Sequence, residues 1–162
     1  MINYNLEMIE KNLFTKIENS FVYDVAVKTP LNKLNTLSEE FNNAIYLKRE
    51  DLQPVHSFKL RGAYQKIVTL QKENKQLSII AASAGNHAQG VAYSAMKLKL
   101  QATIVMPQTT PEIKVNAVKV LGATVILHGD SYDDAYHKAM QLSAESQAIF
   151  VHPYDDLDVI AG

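Results

Sequence analysis

An open, mostly parallel α/β sheet with flanking helices is the fold class this sequence predicts, and three observations predict it. Four short, apolar, β-branched runs recur along the chain, at 78–82 (SIIAA), 102–106 (ATIVM), 124–127 (TVIL) and 148–151 (AIFV). Stretches with the period of an amphipathic helix separate them. The runs are also apolar on both faces, as suits parallel strands covered by helices on either side.

The elements follow in order. Leu6, Ile9, Leu13 and Ile17 share helical spacing and predict a leading helix, and Thr29-Pro30 breaks the chain into a loop before Leu31. Residues 45–49 (IYLKR) read as a fifth strand, followed by a helix carrying Leu60, Ala63, Tyr64, Ile67 and Leu70 on one stripe. After the first apolar run the stripe is Ala88, Val91, Ala92, Ala95 and Leu98. After the second it is Ile113, Ala117 and Val120, opened by Thr110 with Pro111 at the first helical position. After the third it is Tyr132, Ala135, Ala139 and Leu142, opened by Ser131 with Asp134 three residues on, a capping-box arrangement. Strand and helix alternate as in sheets built by right-handed crossovers. Eleven residues follow the fourth run and end VIAG without a C-terminal cap, so the alternation is expected to be truncated.

Composition narrows the function. The 162 residues are 47% hydrophobic and 20% charged, enough for one packed soluble domain. Sixteen Lys and Arg against seventeen Asp and Glu leave a net charge of −1, which argues against nucleic acid or an anionic membrane as partner and for a small-molecule site. With no cysteine there is no disulfide framework, cysteine zinc site or thiolate nucleophile. The first dozen residues carry charges, and no uncharged apolar run approaches the ~20 residues of a membrane span. A soluble, cytoplasmic protein is expected.

Two segments hold more unusual residues than folding requires. In 50–63 (EDLQPVHSFKLRGA), Lys59 stands where a helix begins, a place the helix dipole makes unfavourable for a cation. Most lysines are solvated surface groups. Here the flanking Phe58, Leu60 and Gly62 predict burial, and a desolvated lysine is available as a nucleophile or base, with Schiff-base chemistry the natural use. In 83–90 (SAGNHAQG), a small-residue loop joins a strand to a helix, so that main-chain N–H groups converge on one point suited to a carboxylate or phosphate. The plainer alternative is that Gly85 makes a turn and Asn86 caps the helix with nothing bound.

Other candidates are weaker. Ala81 replaces the first glycine of a GxSxG elbow around Ser83, which disfavours a serine hydrolase. His56, His87, His128, His137 and His152 lack metal-site spacing, and only His87 has a site-like position. Asp155, Asp156 and Asp158 suit the opening of a helix better than a metal. Tyr23 and the Tyr132/Tyr136 pair read as packing residues.

Residues 48–63 (KREDLQPVHSFKLRGA) and 82–92 (ASAGNHAQGVA) resemble the two signature motifs of threonine dehydratase, a pyridoxal-phosphate enzyme of the tryptophan-synthase-β fold group. The resemblance extends to TPL at 29–31, VMP at 105–107, LGATVILHG at 121–129 and the closing DVIAG. It implies that Lys59 carries pyridoxal 5'-phosphate as a Schiff base and then serves as base at the substrate Cα, and that Phe58 lies beside the ring. Asn86 would bond the cofactor's 3'-oxygen. Ser83, Ala84, Gly85, Asn86 and His87 would hold the substrate carboxylate through main-chain N–H groups and the Ser83 hydroxyl. The implied reaction is dehydration and deamination of L-threonine to 2-oxobutanoate and ammonia, in isoleucine biosynthesis or threonine breakdown, by a homo-oligomer when complete. Ala84 stands where serine racemases carry a serine, which favours dehydration over racemisation.

The resemblance also implies a domain plan: 1–50 as the N-terminal part of a large cofactor domain, 51–150 as a complete small α/β domain, and 151–162 as the start of the return into the large one. The family's glycine-rich phosphate loop and the residue facing the pyridine nitrogen fall beyond the equivalent of Gly162, so the chain is expected to be an incomplete and inactive piece. Two alternatives stand beside this reading. One is a non-catalytic α/β module that binds a small anion at 83–87 or joins a full-length subunit; the other is a serine dehydratase or serine racemase of the same fold group.

Overall fold

The computed structural model describes residues 6–162, with side chains from residue 12 onward. Helix α1 (Leu6–Glu18) forms as the spacing predicts; the side chains of Leu6 and Ile9 lie outside the described residues, and Ile17 is exposed. Strands β1 (Leu31–Lys33) and β2 (Tyr46–Lys48) flank helix α2 (Asn35–Glu40) and pair antiparallel, Leu31 opposite Lys48. They form a separate two-stranded ribbon, so the reading of 45–49 as a strand of the main sheet is corrected. With Lys48 and Arg49 in so short a run, IYLKR cannot be buried on both faces as the other runs are.

The main sheet holds β3 (Ser78–Ala82), β4 (Gln101–Met106), β5 (Thr124–Leu127) and β6 (Ile149–Phe150) in the order β5-β4-β3-β6, every pair parallel. Successive residues point to opposite faces. Ile79, Ala81, Ile104 and Met106 pack against α3 (Lys59–Glu73), α4 (Asn86–Leu98) and α5 (Glu112–Val120); Ile80, Ala82 and Val105 pack against α6 (Tyr132–Ser146). Ser131 and Asp134 form the capping box at the start of α6. The stripe predicted for α5 is corrected: Val115 and Val118 face the core, while Ile113 and Val120 are 78% and 84% exposed. EIKVNAVKV carries apolar residues around most of the helix, and contact with α4 selects the face. Pro111 precedes the helix as its N-cap rather than occupying its first turn.

Helix α7 (Leu157–Ala161) closes the chain onto α3. The Asp156 carboxylate accepts from the N–H groups of Asp158 (2.9 Å) and Val159 (3.2 Å), so these aspartates open a helix as expected. Asp156 and Asp158 also pair with Lys66, at 2.8 and 3.6 Å, and Asp158 with Lys16. A side chain at Gly62 would stand 2.6 Å from the Val159 carbonyl oxygen, so glycine permits this close approach. Among the described residues no acidic or histidine group is arranged to hold a metal, and no helix is long and apolar enough to cross a membrane.

Candidate active site

Lys59 is the first residue of α3, and its N–H donates to the hydroxyl of buried Ser57 at 3.2 Å. Its side chain is half-buried and its Nζ donates to the Pro153 carbonyl at 2.7 Å; among the described residues it has no carboxylate partner. Leu60 and Gly62 are buried as their positions predict, but Phe58 is 59% exposed, which corrects the expectation of apolar enclosure on both sides. As N-cap of α3, Phe58 turns outward, with its ring centroid 5.6 Å from the Lys59 Nζ. The amine opens into a cleft of about 250 Å³ whose walls include Phe58, Gly62, Pro153, Tyr154 and Ile160.

Much of the segment leading to Lys59 braces it. Gln53 is fully buried and makes two hydrogen bonds with the Val27 main chain, accepting from N–H at 3.0 Å and donating to the carbonyl at 2.9 Å. Glu50 accepts from Arg61 Nε (2.7 Å) and Nη2 (3.0 Å) and from the Thr29 hydroxyl (2.5 Å). The Arg61 contact, helped by Thr29 and Gln53 and opposed by burial, pulls the Glu50 carboxyl down to about 2. Lys48 Nζ also donates to the Thr29 carbonyl. A charged, polar motif thereby ties the loop at 27–30 to the start of α3. Tyr23 is 62% exposed under the Arg61 guanidinium rather than packed inside, which corrects its reading as a packing residue.

The loop at 83–85 leaves the carboxyl end of β3 and enters α4. Ser83 continues the ladder by donating its N–H to the Val105 carbonyl, and its hydroxyl accepts from Gly85 N–H at 3.2 Å. Gly85, not Asn86, is the N-cap, and no side chain caps this helix, so the plain reading of Asn86 as a cap is corrected. Asn86 is exposed, and its amide has no partner among the described residues. Ala84 is half-buried and brings no side-chain donor.

His87 is 4% exposed, with Nε2 3.0 Å from the Val151 carbonyl, to which it donates, while Nδ1 is buried without a partner. Burial first, with the nearby Lys59 and His152 charges adding to it, pushes its pKa down to about 4 against the Val151 bond, so the imidazole is neutral. The Lys59 amine and His87 both bond the segment at 151–153, at the Pro153 and Val151 carbonyls, which brings the amine near the loop at 83–87. His56, His128 and His137 lie exposed on the surface.

Sequence reasoning missed three parts of this arrangement. Gly90 lets α4 cross against the main chain of Lys59, and its signal was a glycine inside a helical pattern. The Pro153 carbonyl, partner of the amine, belongs to a main chain that no residue type announces. His152, not singled out among the histidines, accepts two N–H groups in the turn carrying Pro153.

The residues present fit a group with an aldehyde and anionic oxygens: an amine without a carboxylate partner, an unengaged amide at Asn86, and the open N–H groups of the first turn of α4.

The family model of pyridoxal-phosphate dependent enzymes matches residues 22–162. The chain is 57% identical over 143 residues to the L-threonine dehydratase biosynthetic IlvA of Haemophilus influenzae, covering 88% of this chain and 28% of that protein. It is 54% identical over 148 residues to the chloroplastic biosynthetic threonine dehydratase of Arabidopsis thaliana, covering 91% of this chain and 25% of that one. The chain thus spans about a quarter of the length of the curated relatives it matches. Among solved structures, the processed form of threonine deaminase isoform 2 from Solanum lycopersicum superposes with a TM-score of 0.90 at 43% identity, over 98% of this chain and 44% of that one. Maize serine racemase superposes with a TM-score of 0.83 at 26% identity, over 93% of this chain and 45% of that one.

Proposed function

Since the chain belongs to the family of pyridoxal-phosphate dependent enzymes, we propose that the complete protein is a threonine dehydratase, converting L-threonine to 2-oxobutanoate and ammonia. The observation that carries this reading is the Lys59 amine at the start of α3, held by the Pro153 carbonyl instead of a carboxylate, on the same segment whose Val151 carbonyl holds His87 of the loop at 83–87. The threonine dehydratase names of the relatives, at 57% and 54% identity, support the substrate. Ala84 supports dehydration over racemisation, because it offers no acid on the face opposite Lys59.

When bound, pyridoxal phosphate would supply a conjugated ring able to take up the electron pair at the substrate Cα. Lys59 Nζ would be its attachment point and would supply the base for the Cα proton. N–H groups at the start of α4 bind and orient the substrate carboxylate, helped by the Ser83 hydroxyl. The Asn86 amide, unengaged by the protein, would hold the cofactor's 3'-oxygen, and Phe58 would lie beside the group. Neutral His87 keeps the first turn of α4 fixed to Val151.

The two-stranded ribbon stands apart from the parallel sheet, which supports assigning 1–50 to a larger cofactor domain beside the small domain at 51–150, and the contact of α7 with α1 supports joining 151–162 to it. On the same reading the groups that hold the cofactor phosphate lie outside these 162 residues, and turnover requires them.

Borohydride reduction of the complete protein with pyridoxal phosphate tests the assignment: label is expected on the SFKLR peptide and is lost in Lys59→Ala. Label spread over several lysines would overturn it and leave an anion-binding module.

A further inference from the structure

One nitrogen of His152 holds a turn together. Its Nδ1 accepts the N–H of Asp155 at 2.7 Å and of Tyr154 at 3.3 Å. Accepting both requires a free lone pair on Nδ1 and hence the ring proton on Nε2. The ring is also gripped edge-on by Phe150 and Tyr154, with centroids 6.2 and 4.6 Å away. One residue upstream, Val151 is anchored at both ends, its N–H on the Ile80 carbonyl at 2.9 Å and its carbonyl on His87. Pro153 stands between these two anchors, and its carbonyl receives the Lys59 amine at 2.7 Å. Among the described residues that carbonyl is the only group accepting from Lys59 Nζ.

We infer that His152 is a positioning residue for Lys59: by accepting the Tyr154 and Asp155 amides it fixes the Pro153 carbonyl, and through it the resting place of the Lys59 amine. This rests on the reading of Lys59 as the cofactor lysine. The amine is thereby confined to one place in the cleft before any cofactor arrives, an arrangement that lowers the entropy lost when it reacts. Without the acceptor on residue 152 the turn loses both bonds, and the carbonyl is held from the Val151 side alone.

Stereochemistry supplies the test. The Oδ1 of asparagine is two bonds from Cβ, as is Nδ1 of histidine, so His152→Asn keeps the acceptor while His152→Leu removes it. Amide hydrogen exchange in the complete protein should be about tenfold faster at Tyr154 and Asp155 in H152L, as the loss of two neutral hydrogen bonds implies, and near wild type in H152N. In the complete protein, borohydride trapping of pyridoxal phosphate on Lys59 should slow about tenfold in H152L and recover in H152N. Exchange unchanged in H152L, or H152N as impaired as H152L, would overturn the inference. Should H152L fail to fold, the ring ¹⁵N shifts of wild-type His152 decide, since a proton on Nδ1 overturns it as well. If wild-type label is not on Lys59, the cofactor-lysine reading fails, while the exchange measurement still judges the turn.

Discussion

Gly90 lies against the main chain of Lys59: a Cβ there would stand 3.0 Å from the Lys59 carbonyl oxygen and 3.1 Å from its carbonyl carbon. The contacted atoms are backbone at the start of α3 and cannot swing aside as the end of a side chain would. Gly90→Val is therefore expected to cost about 1–3 kcal/mol of stability by overpacking, measured by urea denaturation. It should also shift the Lys59 amine enough to slow trapping of pyridoxal phosphate. Unchanged stability would show that α3 and α4 separate freely at this crossing.

Two groups give acid sensitivity in different pH windows. His87 titrates at about 4 when folded against 6.5 in its ordinary state, so the unfolded chain takes up that proton first. Stability is then lost as pH falls from 6.5 towards 4, with a slope of up to ~1.4 kcal/mol per pH unit for one proton. Glu50, pulled from 4.5 to about 2 by Arg61, stabilises above pH 4.5 and loses that contribution as pH falls towards 2. Denaturation measured across pH should show H87Q flattening the upper window and E50Q the lower. Loss of both windows in one variant, or of neither in both, would contradict the separation.

The exposed, unengaged amide of Asn86 separates stability from function. Asn86→Ala should leave stability within about 0.5 kcal/mol, as for a surface change with no partner lost. Turnover of threonine by the complete protein should fall about 10²-fold, the cost of one positioning contact. Equal turnover in the variant would remove Asn86 from the site.

The core of the sheet was legible because its strands are apolar on both faces. The predicted limits of β3 and β5 coincide with those observed, and β4 differs by one residue. Where a segment offered two apolar faces, as α5 does with Ile113 and Val120 against Val115 and Val118, only the packing decides, and periodicity chose the wrong face. The strand at 45–49 was seen, but its partner Leu31–Lys33 is too short to signal pairing. At the candidate site, Lys59 and the loop at 83–87 stand out by residue type. The Pro153 carbonyl does not, because every residue carries a carbonyl and only the fold selects one. His152 was visible as a histidine but not as the acceptor of its own downstream amides.

Strand β6 joins the sheet beside β3, and the turn that follows it brings Pro153 to an amine 94 residues earlier in the chain. At ribosomal speeds of about 5–20 residues per second, Lys59 is made roughly 5–20 s before the carbonyl that restrains it. For that interval the nascent protein carries the Lys59 amine without the carbonyl that receives it. Arrival of β6 and the turn after it ends that interval, so restraint of the amine waits on a segment made well after the lysine itself.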